Sequence, residues 1–388
     1  MIASRPTSRQ RNRESSNSKT NTIYVGNLDY TFLICTIILV LFGILMVFSA
    51  SYYQAFNNSN DRFRYLIQQS FAAILGAAVM LVLSNINYRY FKRFTTLIYI
   101  ISIVLSILVL FIGAEHGGAR RWILIPGFGS VQPSEVAKVA LILKLSAVIS
   151  SRKNMLSTLK GHMHALVIIG IPVALIAIEN FSTALIVGIV GVGIVFVASP
   201  FTLVFFALAG SGVVAIVSYL AFFSAGFRGA RFEAWLNPFA PEHSLATGFQ
   251  TVQSLLAIGS GGLFGLGLGQ SRQKLGFIPE AHNDIIFSVI VEELGIIGGG
   301  LLIFLFGVII WRAIMIAMKT DSLYGSLIAT GIAIMLGIQI IINIAVVTNA
   351  IPNTGIQLPF ISYGGTSLLI SMASTGFLLN ISRYSKAI

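Results

Sequence analysis

Ten apolar runs alternate with short polar stretches along the chain, near 31–51, 66–84, 95–113, 134–150, 164–180, 182–199, 201–223, 285–311, 325–347 and 363–381. A helix of about 20 apolar residues crosses the hydrocarbon core of a bilayer. It also satisfies its own backbone hydrogen bonds there. The pattern predicts an all-α polytopic membrane protein with ten transmembrane helices and both termini on one side. The longest polar stretch, 224–284, becomes a large extracellular loop between the seventh and eighth helices. Residues 1–28 are basic, rich in Ser and Asn, and too poor in apolar surface to fold alone. They read as a cytoplasmic tail ahead of a membrane domain at 29–388, with no cleavable signal before the first span.

Composition agrees with the pattern. Of 388 residues, 56% are hydrophobic and only 10% charged, with a mean hydropathy of +0.87, far from the quarter charged that is usual of soluble domains. The net charge of +12 would suggest nucleic acid in a soluble protein. Here fifteen of the 25 Lys and Arg residues fall in the tail and in the turns on its side, against eight on the opposite face. Lys138 and Lys144 lie inside a span. By the positive-inside rule the termini are cytoplasmic, and the cations orient the chain and meet anionic lipid. No nucleic-acid partner is expected. The single cysteine, Cys35, lies within the first span and can form no intramolecular disulfide.

Ionisable residues are so few that each invites a question. The four aspartates are Asp29, Asp61, Asp284 and Asp321. Asp284 stands where a glycine-rich loop carrying Arg272 and Lys274 enters the eighth span, and a carboxylate at such a place is a site hypothesis by default. From residue type alone, capping the helix is an equally good account of it. Glu292 and Glu293 follow two turns later on other faces of the helix. At the mouth of the fourth span, Glu135 and Lys138 at i,i+3 suit a buried ion pair or the wall of an outer cavity. Arg120 and Arg121, beside Trp122, suit interface anchoring. The run GGLFGLGLG, 261–269, follows no strand and is not read as a nucleotide loop; its glycines fit a re-entrant outer segment. His162 and His164 share no helical face, and no histidine metal site is expected.

Seven stretches together are similar to one bacterial family: SAS at 49–51, GARRW at 118–122, QPSEVAK at 132–138, ENFSTA at 179–184, GFQTVQSLLAIGSGGLFGLGLGQSRQK at 248–274, PEAHNDIIFSVIVEELG at 279–295 and LPFISYGGTS at 358–367. Residues 30–385 resemble the SEDS proteins of shape, elongation, division and sporulation, and GLGQSRQK looks like the division and sporulation branch. The resemblance implies a ten-span peptidoglycan glycosyltransferase that polymerises lipid II on the outer face of the cytoplasmic membrane. It also implies work at the division septum with a class B penicillin-binding protein and other division proteins. The family's essential aspartate falls on Asp284. Where many members carry Pro-Asp, this chain has Glu179 and Asn180.

The chemistry is consistent with that assignment. The pyrophosphate of lipid II is already a good leaving group, so one base for the acceptor hydroxyl and positive charge on the pyrophosphate suffice. A second carboxylic acid, as glycoside hydrolysis needs, is dispensable. An inverting displacement with Asp284 as general base follows, with Arg120, Lys138, Gln253, Ser254, Arg272, Lys274, His282 and Ser362 expected to bind substrate. Glu135 and Glu293 are expected to support them, and either protein cations or a divalent cation (Mg or Mn) at the pyrophosphate would complete the set. A lipid II flippase, with Glu135 and Lys138 lining its path, and a noncatalytic division scaffold are the alternatives.

Overall fold

A computed structural model describes residues 28–59, 61–116, 119–125, 129–152, 154–201, 233–240, 248–275 and 280–385. Ten helices follow in order among them: α1 (Tyr30–Ser59), α2 (Arg64–Asn85), α3 (Tyr88–Ile112), α4 (Pro133–Ser151), α5 (Leu159–Glu179), α6 (Phe181–Ala198), α7 (Phe249–Gly261), α8 (Ile286–Lys319), α9 (Leu323–Val347) and α10 (Gly365–Arg383). Eight of these are long and apolar enough to cross a membrane. The chain is a polytopic helical membrane protein. Nine of the ten expected spans coincide with α1–α6 and α8–α10; the seventh, 201–223, lies outside the described residues apart from Phe201.

The helix α4 carries Glu135, Lys138 and Lys144 and so is the least lipid-like of the nine. It is the bundle's axis, buried at most positions and packed against α3, α5, α6, α9 and α10. Its start is set by Pro133 at the first helical position, where proline costs no hydrogen bond. The helices α2 and α10 approach closely because Gly376 lies against the Met80 backbone and Gly76 against the Met372 side chain. Between helices in lipid, such small-residue packing stands in for the missing hydrophobic drive.

Both ends of the bundle are tied by polar residues. At one end Asp29 caps α1 by accepting from Phe32 N (3.0 Å) and pairs with Arg312 of α8 (2.9 Å). Its own N–H donates to Ser382 of α10 (3.2 Å). At the other end the connections carry the polar clusters. There β1 (Ala114–His116), β2 (Ala119–Ile125) and β3 (Gly129–Val131) form a small antiparallel sheet between α3 and α4. This sheet is an addition to the all-helical expectation.

The 34-residue α8 is about 51 Å long at 1.5 Å per residue. It is broken at Gly295 (φ 73°). The segment after α7 fills the break: Leu266 N and Gly267 N donate to the Glu292 and Glu293 carbonyls (both 2.9 Å), and Ile296 N and Ile297 N donate to Gly262 O and Leu263 O (2.9 and 3.2 Å). The crossing requires glycine. A Cβ on Gly265 (φ 80°) would lie 2.1 Å from Glu293 O, and one on Gly295 2.2 Å from Leu263 O.

Candidate active site

Asp284 lies just before α8, whose N-cap is Ile285, and so stands one residue outside the capping position. Its side chain is half-buried and accepts a long bond from Gln250 Nε2 of α7 (3.4 Å). Gln250 is itself held by Asn353 (2.8 Å). The position of the backbone is fixed from α9: Asn343 Nδ2 donates to both Asp284 O and Ile356 O at 2.7 Å. One side of the carboxylate is flanked by Gly355 (φ 66°), where a Cβ would lie 3.6 Å from Oδ2.

Gly355 also lines a cavity of about 450 Å³. The cavity's other walls include Gln132 just before α4, Glu135 and Lys138 of α4, Asn180 and Thr183 at the start of α6, Gln339 of α9, Gln357, and Arg121 of β2. The expected ion pair forms here, with Lys138 Nζ 2.8 Å from Glu135 Oε1 and both residues buried. Such a pair is held together by the cost of exposing either charge alone to the interior. Around it four amides, Gln132, Asn180, Gln339 and Gln357, donate and accept without adding charge. Half-burial pushes the Arg121 guanidinium below its ordinary pKa, opposed by the Glu179 carboxylate. An anion in the cavity would relieve that cost.

The other expected residues divide by what they touch. Lys274 is buried and spans to Glu293 (2.7 Å) and Ser49 of α1 (2.9 Å). Its ammonium is thereby occupied at the α8 break, roughly 13 Å along the helix from Asp284 at 1.5 Å per residue. Glu293 also accepts from Gly269 N (2.9 Å) and Ser49. Arg272 serves the same cluster through its backbone, donating N–H to Glu292 (2.9 Å), while its side chain is exposed. Ser254 donates to Val347 O (2.9 Å), and Ser362 accepts from Leu358 N (2.8 Å); both are buried and engaged internally. Gln253 is half-buried on α7. Arg120 is exposed on the sheet, with its N–H on Glu179 Oε2 (2.7 Å). The loop expected to gather Asp284 with Arg272 and Lys274 therefore separates them into two clusters.

His282 is 1% exposed, boxed by the Tyr65 and Tyr363 rings at 4.4 and 5.2 Å, with Nδ1 unpartnered. Burial lowers its pKa to about 4, against a smaller opposing pull from Glu280. The imidazole is neutral at physiological pH. No three His, Cys, Asp or Glu side chains gather as a metal cage among the described residues.

The sequence profile of the family described as cell cycle protein, spanning FtsW, RodA and SpoVE, matches residues 29–387. The chain belongs to this family. Stage V sporulation protein E of Bacillus subtilis is 42% identical over 92% of this chain and 98% of its own length. A probable peptidoglycan glycosyltransferase FtsW of Geobacter is 40% identical over 92% and 97%. Among solved structures, a chain from work on the coordination of polymerization and crosslinking by a peptidoglycan synthase complex superposes with a TM-score of 0.77 at 26% identity, covering 92% of this chain and 98% of that one. RodA of Thermus thermophilus superposes with a TM-score of 0.66 at 27% identity, covering 93% and 98%.

Within this family fold, sequence reasoning missed the amides Gln250, Gln339, Asn343 and Gln357 and the cavity role of Arg121. A signal existed for two of them. Gln339 and Asn343 are four apart in an otherwise apolar span, and polar residues inside a span usually face a cavity or a partner. At the departure from the family's acid, Asn180 caps α6 by accepting from Thr183 N (3.0 Å), while Glu179 braces the sheet.

Proposed function

We propose that this chain is a peptidoglycan glycosyltransferase that polymerises lipid II on the outer face of the cytoplasmic membrane, with Asp284 as general base. The observation that carries the reading is the half-buried Asp284 carboxylate beside Gly355, which lines the cavity holding Lys138 and Glu135. In the step, Asp284 takes the proton of the acceptor sugar hydroxyl as that oxygen bonds the anomeric carbon of the donor. The bond from that carbon to the pyrophosphate oxygen breaks, and the pyrophosphate leaves with the electron pair. Attack opposite the leaving group inverts the anomeric centre. Lys138, with Glu135 fixing its direction, supplies positive charge to the pyrophosphate side, and the amides orient sugar and acetamido groups. The leaving group needs no acid, which accords with a single base.

The same reading places the Asp284 end outside and both termini in the cytoplasm, in keeping with the positive-inside count. It makes a class B penicillin-binding protein the transpeptidase partner, in a septal assembly with other division proteins. The similarity to a peptidoglycan synthase complex and to FtsW supports this. Purified protein incubated with lipid II, with and without the partner, is the test. Glycan ladders from wild type and none from a folded Asp284→Asn variant are expected. A variant that still polymerises at the wild-type rate would remove Asp284 from the chemistry and leave flipping or scaffolding as the function.

A further inference from the structure

A second cleft opens beside the polar cavity. It is a shallow groove between the last turns of α3 and α5 and the first turn of α4, with Val109 and Leu110 on one wall and Leu175 and Ile176 on the other. The neighbouring outward side chains Phe111 and Ile178 are exposed, so both helices face hydrocarbon here. Ser106 lies in the apolar floor and is satisfied within α3 by the Ser102 carbonyl (2.8 Å). Arg120 and Arg121 stand at the mouth.

Two residues belong to both spaces: Arg121 and Asn180 line the polar cavity and the apolar cleft alike. Arg121 is half-buried, and among the described residues only its Nε has an acceptor, Glu179 O at 3.1 Å. The terminal Nη atoms are left with their donors unspent. A guanidinium in that state suits a phosphate, which it can grip with two parallel hydrogen bonds. The order across the two spaces is then amides, a cation with unspent donors, and an apolar slot facing lipid.

We propose that the α3–α5 cleft holds the polyprenyl chain of the lipid-linked substrate, with its phosphate on Arg121 and its sugar in the polar cavity. The proposal rests on the glycosyltransferase reading and deepens it. It names Arg121 as an anion-binding residue and gives the substrate's chain a side entrance between α3 and α5.

The test separates chain from headgroup. Polymerisation is measured with two lipid II substrates identical in sugar, peptide and pyrophosphate, one with a long and one with a short prenyl chain. Leu175→Trp, at a half-buried wall position, is expected to raise KM for the long-chain substrate about tenfold, the equivalent of losing the burial of two methylene groups. Its KM for the short-chain substrate and both kcat values should stay at wild type. Arg121→Gln is expected to raise KM for both substrates by the same factor. Equal effects of Leu175→Trp on the two substrates, or none on either, would overturn the cleft assignment. Should Leu175→Trp fail to fold, wild-type protein labelled by a diazirine-bearing prenyl lipid II gives the answer. Label in peptides 106–110 and 175–179 supports the cleft, and label only elsewhere refutes it. Binding of the long-chain substrate by Asp284→Asn keeps the two ideas apart. Retained polymerisation by that variant would sink the base assignment, whereas the labelling pattern reads the cleft alone.

Discussion

The same stretch of chain holds carboxylates in two opposite conditions. Glu293 is fully buried at the α8 break, with Lys274 and Ser49 at 2.7 Å and Gly269 N at 2.9 Å. Asp284, nine residues earlier, is half-buried, takes a 3.4 Å bond from a neutral amide and lies beside Gly355, which lines the polar cavity. In the first cluster the donors are used to join three pieces of chain, α1, α8 and the glycine-rich loop. In the second, the surrounding polar groups fix the backbone: Asn343 holds Asp284 O, and Asn353 holds the Gln250 amide that reaches the carboxylate. Residue type and membrane depth do not distinguish an acid that reacts from one that braces. Burial separates these two: Glu293 is sealed in the interior and Asp284 is not.

The largest expected effect is on Asp284. Loss of a general base removes about 10²–10⁴ in rate, so Asp284→Asn should abolish glycan ladders on a gel. Because the residue lies outside the cap position, its thermal midpoint should reflect no more than about 1 kcal/mol. The brace should behave in reverse. Lys274→Ala strands Glu293 in the interior, and breaking a buried pair by removing one partner costs about 3–5 kcal/mol. The double variant Lys274→Met with Glu293→Met should recover most of that in the thermal midpoint, since apolar replacement of a buried pair is often neutral. If the double variant is as unstable as the single, the cluster is more than an ion pair.

How far the sequence announced this contrast depended on whether the governing contacts were local. Lipid forces each span to satisfy its own backbone, so apolar runs located nine helices to within a few residues at most of their ends. Glu135 and Lys138, three apart on one helix, were legible for the same reason. The break at Gly295 was not, because its freed carbonyls are met by Leu266 and Gly267 from another segment. Lys274 was misplaced beside Asp284 on chain proximity, when the fold sends it to Ser49, 225 residues away. Arg121 looked like an interface anchor until α4, α6 and α9 closed a cavity around it.

A third difference between the two regions is their response to acid. His282, adjoining the Asp284 cluster, has its pKa lowered to about 4 by burial, against about 6.5 unfolded. Between those values the unfolded chain binds the proton and the folded one does not, so stability is full above pH 6.5 and falls as pH drops toward 4. The total is roughly 3 kcal/mol from the size of the shift. A thermal midpoint that declines over this window in wild type should decline less in His282→Phe, which keeps an aromatic ring between Tyr65 and Tyr363. Equal slopes would mean that other groups carry the acid response.

The smallest effect is expected at Arg272, and it bears directly on which cations serve which region. Its backbone N–H binds Glu292 at 2.9 Å, yet its side chain is exposed. Arg272→Ala keeps the N–H and removes only the exposed arm, so stability should stay within about 0.5 kcal/mol of wild type. If the arm reaches the pyrophosphate once substrate is bound, the loss of one charge-assisted contact costs roughly 1.5–3 kcal/mol, which is about ten- to a hundredfold in KM. The geometry favours a change smaller than that, because the loop holding Arg272 is bound to the α8 break and the cavity beside Asp284 has Lys138 and Arg121 in its own walls. A KM for lipid II within threefold of wild type at constant kcat is the expected result. A tenfold rise with an unchanged thermal midpoint would bring the brace region into the substrate site and erase the division of labour between the two acids.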